Sequence, residues 1–494
     1  MLRPYSSFSY SLEEAAVLLS AGKKNFTDVS FTGVTHRDSD VLPGDLFLAF
    51  PGAKVHGASF IAKAKSAGAV AVLTDENGSA FSEGLPTLIV SNVREAGAIL
   101  ASSFYRDPIR DMQSIGITGT NGKTTVTTLL NQIFNAVGRE CGLIGTVETR
   151  IGAESIKSER TTPEAPELQA LAATMRERHM RHLVMEVSSH SLELKRMIGS
   201  HFSIVGFTNL SQDHLDFHGD MESYFQAKRR LFTHEYGEIA FINIDGEYGQ
   251  RLFTDCEINA ISISRYDKKA TWHYTQTTNI VGGVEYTIRG RDGILIESRT
   301  SLFGGFNLDN LLLAVAIAYE CGVDPLEIAA VSPQLLGAPG RLEPVSLGQN
   351  FAALVDYAHS PDAVTNVLAA AKEFTSGRVI GVLGCGGDRD ASKRILMGTA
   401  LSQGCDIAIY TSDNPRSENA SEILQQMTAG LNIELPSALI EDRATAIKFA
   451  VEQAQPGDTV LVLGKGHETG QEIAGVIVDF DDRRHLAQAI EGKP

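Results

Sequence analysis

The feature that most constrains this chain is one turn, Gly119-Thr120-Asn121-Gly122-Lys123-Thr124-Thr125, set between an apolar strand pattern and a helical one. Ser114-Ile115-Gly116-Ile117-Thr118 runs into the first glycine, and the helical pattern extends from Lys123 to about Val137. Glycines in such a turn let backbone N–H groups face an oxyanion, while the helix N-terminus and Lys123 add positive charge against nucleotide phosphates. The hydroxyl of Thr124 is then placed to ligate Mg²⁺. The general pattern G-x-x-x-x-G-K-[ST] has its first glycine where this chain has Ile117, with Gly116 and Gly119 on either side, so the loop is a variant. It commits the chain to strand–loop–helix architecture and to a nucleoside triphosphate. Kinase, GTPase, motor and ligase all remain open.

The rest of the chain is organised in the same way. A length of 494 residues suggests about three domains. Short buried strands alternate with helical patterns before Arg106-Asp107-Pro108, where proline cannot continue the preceding helix. The middle segment adds Leu183–Val187, Ile204–Asn209 and Ile239–Asn243 as strands of a largely parallel sheet, then an antiparallel patch between Tyr266 and Leu302. After Gly337–Arg341, four apolar strands separated by helices describe a doubly wound sheet. The expected fold is therefore α/β in three domains. These are a Rossmann-like domain over 1–107, a central P-loop ATPase domain over 108–339 and a second Rossmann-like domain over 340–494. A formal net charge of −17 argues against nucleic acid and against an anionic membrane surface as partners. Five dispersed cysteines with no C-x-x-C pair exclude a disulfide scaffold and a thiolate zinc site, and suit a reducing cytoplasm. No apolar run is long enough for a membrane helix, and the first residues lack a secretory apolar core.

Several polar clusters follow strands. Glu186 ends one strand, where a carboxylate can hold a metal near the phosphates. Thr208 to Gly219 packs Asp213, His214, Asp216 and His218 into one segment without the spacing of a zinc helix. Lys228, on an amphipathic helix, reads by itself as a snorkelling surface lysine. In the last domain, Gly384 to Asp390, Asp413-Asn414-Pro415-Arg416 and Gly464-Lys465-Gly466-His467-Glu468 follow three strands. Polar loops at neighbouring strand ends imply one pocket for an anionic or zwitterionic ligand.

Taken together, Gly119–Thr125, Glu186-Val187-Ser188-Ser189-His190, Asp213–Asp216, Asn307-Leu308-Asp309-Asn310, Gly340-Arg341, Asp356–His359 and Gly464–Glu468 resemble the motifs of the Mur ligases, a family with folylpolyglutamate synthase as a relative. The resemblance spans essentially the whole chain in order. It is to members that add the third amino acid of the peptidoglycan precursor in the cytoplasm. It implies ATP-dependent joining of UDP-N-acetylmuramoyl-L-alanyl-D-glutamate to a diamino acid through an acyl phosphate, by a chain that acts as a monomer. It implies ATP contacts at Gly119, Thr120, Asn121, Gly122, Lys123, Thr124, Thr125, Asn307 and Asn310, with Arg341 and Asp356 reaching the γ-phosphate and ribose. It implies two Mg²⁺ ions held by Thr124, Glu186, His214 and a CO₂-derived carbamate on Lys228, which replaces the snorkelling reading. Ser39, Thr161, Thr162, Ser188 and Arg196 match contacts to the UDP substrate. Asp40 stands where relatives carry arginine, and is expected to point away from the pyrophosphate; Leu194 replaces glutamine. Asp413, Asn414, Pro415 and Arg416, with Arg389, Gly464 and Glu468, match the amino-acid pocket. An arginine there suits the distal carboxylate of meso-2,6-diaminopimelate and repels lysine's ammonium. The alternatives are a lysine-adding ligase, a folylpolyglutamate synthase-like ligase and a non-enzymatic phosphate-loop module.

Overall fold

Parallel strands buried on both faces account for the unbroken apolar runs of the sequence. The computed structural model describes residues 2–52, 55–280 and 283–493. Packing divides the chain into two units. The first comprises 1–273, 289–294 and 312–328; the second comprises 274–288, 295–311 and 329–494.

Among the described residues, the first unit contains two larger sheets and a two-stranded one, Tyr10–Ser11 with Ser30–Phe31. The N-terminal larger sheet runs in the order Gly22–Lys24, Thr87–Ile89, Ala71–Thr74, Asp45–Leu48, Gly33–Thr35, and only Gly22–Lys24 is antiparallel to its neighbour. Strand alternation sends Leu46, Leu48 and Leu73 to one face, against Val93, Leu100 and Phe104 of the helix Val93–Phe104. Phe47 and Val72 go to the other, against Ile61 and Ala64 of the helix Ile61–Ser66. Helices on both faces give the Rossmann-like layering expected for this part of the chain. Ala170 and Ala173 of the helix Ala165–Glu177 join the first of these cores, so the two larger sheets of this unit share packing.

The second larger sheet of the unit holds six parallel strands, Cys141–Ile144, His182–Glu186, Gln113–Thr118, Phe202–Phe207, Gly237–Asn243 and Asn259–Ser264, in that spatial order. A hairpin, Glu148–Ile151 with Glu154–Lys157, is added at one edge. The chain leaves Gln113–Thr118 toward one side of the sheet and later returns to the other. The strand before the phosphate loop is thus a switch point, where ligands bind at strand carboxyl ends. The helix Lys123–Ala136 buries Val126, Leu129, Leu130, Ile133 and Phe134, a three–four spacing that lays one apolar stripe on the sheet.

The second unit contains the strands Gly283–Arg289 and Leu295–Thr300 and a six-stranded sheet. Its order is Glu343–Pro344, Ala352–Asp356, Thr459–Leu463, Val379–Cys385, Ile407–Ser412, Ala438–Leu439, parallel except for the first strand. Leu368, Leu401 and Leu424 cover one face, and Ile447, Val451 and Leu486 the other. The doubly wound reading holds here. Its polar loops emerge side by side because the strands that precede them are neighbours. A hairpin that the sequence reading did not anticipate, Gly470–Ile473 with Val476–Asp479, stands apart from this sheet.

Candidate functional site

The phosphate loop is shaped by two glycines. Gly119 has φ 148°, and a Cβ there would meet Thr208 Oγ1 at 1.9 Å. Gly122 has φ 88° at the N-cap of the following helix. Both conformations are open to glycine and costly for other residues. Asn209 secures the loop from the next strand, its Oδ1 accepting the Asn121 N–H at 3.0 Å. Lys123 folds back, and its Nζ donates to the carbonyls of Gly119 and Thr120, both at 2.9 Å.

Lys228 is the clearest correction to a reading of residues alone. It is 2% exposed rather than snorkelling, and its Nζ donates to the Gly119 carbonyl at 2.8 Å. Burial, and then the charge of Lys123, push its amine well below the usual lysine range, with Asp213 opposing. Tyr224 lies under this amine, 4.8 Å from ring centre to Nζ, and its hydroxyl is 3.2 Å from Thr120 Oγ1. The helix Met221–Arg229 buries Tyr224, Phe225 and Lys228 together. That is one helical face, a signal the sequence already carried.

Glu186 is fully buried. Its Oε1 accepts the Thr146 N–H at 2.7 Å, and its Oε2 accepts the hydroxyls of Thr146 at 3.0 Å and Thr124 at 3.1 Å. A hydroxyl and a carboxylate in contact at the foot of a phosphate loop are hard oxygen donors of the kind Mg²⁺ takes. Among the described residues no three His, Cys, Asp or Glu side chains converge as a metal cage. The residues that fit Mg²⁺ here are the Thr124 hydroxyl and the Glu186 carboxylate. His214 does not touch Glu186. It sits half-exposed with φ 54°, 3.4 Å from Asp213 and with its ring 4.8 Å from that of His190.

Four of the five residues matched to the UDP substrate form one network with Glu186. Thr161 Oγ1 lies 3.0 Å from Thr146 Oγ1, whose proton goes to Glu186, and Thr162 Oγ1 donates to the Glu186 carbonyl at 2.9 Å. The Ser188 N–H donates to Thr162 Oγ1 at 3.1 Å, and Arg196 donates to the Thr162 carbonyl at 3.3 Å. Ser39 lies apart, in the short turn Asp38–Asp40. The Asp40 carboxylate is 3.9 Å from Arg37, which answers its charge locally.

The residues missed here are charged. Glu164, 4% exposed, meets Arg94 at 2.7 Å, Arg160 at 2.8 Å and Arg196 at 3.1 Å. Burial pushes its carboxyl up, but Arg196, Arg94 and His36 outweigh that and hold it below its usual range. Burial also drives His36 down to about 4. A cleft of about 180 Å³ beside them is lined by His36, Arg37, Lys157, Ser158 and Arg160 among others. Only the Arg160–Glu164 spacing of four could have been noticed in the sequence.

In the second unit, Asp356 gives both oxygens to backbone, accepting the N–H of Leu342 at 2.7 Å and of Ala358 at 2.8 Å. The exposed Arg341 lies over the Tyr357 ring at 5.2 Å. Asn307 and Asn310 are buried and bonded to each other at 3.4 Å. The three polar loops do converge. Asn414 Nδ2 donates to Glu468 Oε2 at 2.9 Å, and the buried Lys465 donates to Asn414 Oδ1 at 2.9 Å. A Cβ at Gly464, φ 111°, would come within 2.8 Å of Asp413 Oδ2. Pro415 is buried, Arg416 donates to the Gly387 carbonyl at 2.6 Å, and Arg389 is exposed nearby. Beneath them Arg443 and Asp482, both fully buried, pair at 2.6 Å, and Arg443 also donates to the Leu463 carbonyl at 2.9 Å.

A phosphate loop over a hydroxyl–carboxylate pair, with a separate charged pocket on a second doubly wound sheet, defines a nucleotide-using enzyme that handles a small charged co-substrate. Comparison with known proteins narrows this. Family models described as Mur ligase family, catalytic domain, as Mur ligase middle domain and as Mur ligase, glutamate ligase domain match residues 30–105, 117–318 and 340–466. The chain is 48% identical over 475 residues to a UDP-N-acetylmuramoyl-L-alanyl-D-glutamate--2,6-diaminopimelate ligase of Streptomyces avermitilis, covering 94% of this chain and 93% of that protein. It is 43% identical to the like-named ligase of Synechococcus elongatus, over 94% of each. A solved structure with the same description superposes with a TM-score of 0.72 at 32% identity, over 93% of this chain and 95% of that one. The chain belongs to the Mur ligase family and shares its three-domain α/β fold. Among the described residues no helix is long and apolar enough to cross a membrane.

Proposed function

We propose that this chain is the cytoplasmic ligase that joins meso-2,6-diaminopimelate to UDP-N-acetylmuramoyl-L-alanyl-D-glutamate at the expense of ATP. The observation that carries the choice of amino acid is Arg416 in the loop Asp413–Arg416, beside Asn414 and Glu468. The names of the relatives support it, since they match over more than nine tenths of the chain. A guanidinium pairs with a carboxylate and repels an ammonium, which is the difference between diaminopimelate and lysine at the far end.

The reaction is carboxylate activation. The D-glutamyl carboxylate attacks the γ-phosphorus, the bond to ADP breaks, and an acyl phosphate forms. The amine then attacks the acyl carbon, a proton leaves the nitrogen, and phosphate departs. Lys123 and the N–H groups of Gly119–Thr124 would hold the phosphates. Thr124 and Glu186 would hold one Mg²⁺, and His214 with a carbamate on Lys228 a second. Bound Mg²⁺ would screen the approach of one anion to another. The low pKa of Lys228 suits carbamate formation, because only the uncharged amine adds to CO₂. Thr161, Thr162, Ser188 and Arg196 would orient the UDP substrate, and Glu164 would hold Arg196 in place.

The test is phosphate release measured with each of the three substrates withheld in turn, and with lysine in place of diaminopimelate. The proposal requires release only with all three present and strong preference for diaminopimelate.

A further inference from the structure

The hairpin Gly470–Asp479 adds little to the core of the second unit. It forms a two-stranded sheet of its own, all four residues of Val476–Asp479 are exposed, and Ile473, Val476 and Ile477 face solvent. A two-stranded hairpin is marginal by itself, so what it rests on matters. It rests on the loop Asp413–Arg416. Gln471 Nε2 donates to the Asp413 carbonyl at 2.6 Å, and the Glu472 N–H donates to Asn414 Oδ1 at 3.0 Å. The Arg416 N–H donates to the Glu472 carbonyl at 3.0 Å, and the Ala474 N–H donates to the Arg416 carbonyl at 2.7 Å. The Glu472 carboxylate is 3.5 Å from Arg416 Nε. Arg416 has φ 52°, a left-handed conformation that residues with a side chain rarely adopt. Such a conformation persists where its surroundings over-determine it. The hairpin bonds on both the N–H and the C=O of Arg416 do this.

We propose that Gln471 and Glu472 are positioning residues that set which amino acid the pocket accepts, by holding Asp413–Arg416 in the conformation that presents the Arg416 fork. This rests on the reading of that loop as the diamino-acid pocket. Bidentate pairing with a distal carboxylate depends on the direction of the fork as well as its charge. A loosened fork discriminates less against an amino acid lacking that carboxylate. Neither residue acts on the substrate directly.

Gln471→Glu keeps the side chain's size but sets a carboxylate against the Asp413 carbonyl; Gln471→Met removes the donor without adding charge. Initial rates are measured for the full-length enzyme and for Arg416→Ala with diaminopimelate and with lysine. Gln471→Glu should lower the ratio of the two kcat/KM values about tenfold, through the KM for diaminopimelate, while the KM for ATP stays within about twofold. Gln471→Met should lower the ratio about threefold, the worth of one neutral hydrogen bond, and it decides the matter if Gln471→Glu fails to fold. An unchanged ratio in the Gln471 variants beside a collapsed ratio in Arg416→Ala would overturn the positioning role and leave the pocket standing. An unchanged ratio in Arg416→Ala would overturn the pocket, and this inference with it.

Discussion

Replacing Glu164 with glutamine removes one charge from the first unit and keeps the volume. In the native structure this buried carboxylate meets Arg94, Arg160 and Arg196, at 2.7, 2.8 and 3.1 Å. Removing one partner of a buried pair costs about 3–5 kcal/mol, because the other charge stays desolvated. Arg160 is about half-exposed, and water can take up its charge, so the loss falls mainly on Arg94 and Arg196. The expected destabilisation is thus at the low end, about 3 kcal/mol. The pH dependence follows in sign. The carboxyl is held below its usual value in the folded chain, so its contribution is fully present above the ordinary glutamate pKa. It is lost as pH falls through the lower, folded value. Urea unfolding at pH 7 measures the loss directly, and initial rates measure its effect on function. With Arg196 unmoored, the KM for the UDP substrate should rise about tenfold while the KM for ATP stays unchanged. A destabilisation under about 1 kcal/mol, or equal rises in both KM values, would refute the account of Glu164 as the anchor of these arginines.

Three further outcomes follow from the same geometry. His182 is buried, stacks on Phe134 at 4.3 Å, and is driven down to about 4 by burial first and then by Arg139. A group kept neutral when folded makes stability fall between its unfolded pKa near 6.5 and that value, by about 1.4 kcal/mol per pH unit. His36, also held near 4, adds a like slope, so urea titrations should show both, and His182→Phe should lower the slope by about 1.4 kcal/mol per pH unit rather than abolish it. Lys228→Met keeps the apolar length and should fold, yet lose activity by about a hundredfold or more; ¹³C-bicarbonate should give a carbamate resonance in the native chain and none in the variant. Gly119→Ala drives a Cβ to 1.9 Å from Thr208 Oγ1, so the loop must shift and nucleotide binding, read by titration, should weaken at least about tenfold.

What the residues alone made legible was what runs along the chain. The strand before Gly119, the helix after Gly122 and the carboxylate closing His182–Glu186 are local patterns, and all three lie as read. The three loops after Val379–Cys385, Ile407–Ser412 and Thr459–Leu463 converge because parallel strands set their carboxyl ends side by side. What stayed hidden depends on distant partners. Glu164 is 70 residues from Arg94 in the chain, and Gln471 is 58 from Asp413, so neither pairing has a sequence period. Lys228 is the instructive middle case. Its helical face was readable from Tyr224 and Phe225, but the phosphate loop that turns that face into an interior is 109 residues earlier. Cationic residues on a mixed helix are usually solvated; here Gly119 supplies the acceptor that lets one stay inside.

The central claim is that a pocket organised around Arg416 selects the amino acid that an ATP-formed acyl phosphate will capture. The most direct measurement is a competition. The enzyme is given ATP, the UDP-dipeptide and equal concentrations of meso-diaminopimelate and L-lysine, and the nucleotide product is weighed by mass spectrometry. The account predicts the diaminopimelate adduct almost alone for the native chain, and loss of that dominance in Arg416→Ala. A native product carrying lysine in comparable amount would contradict it.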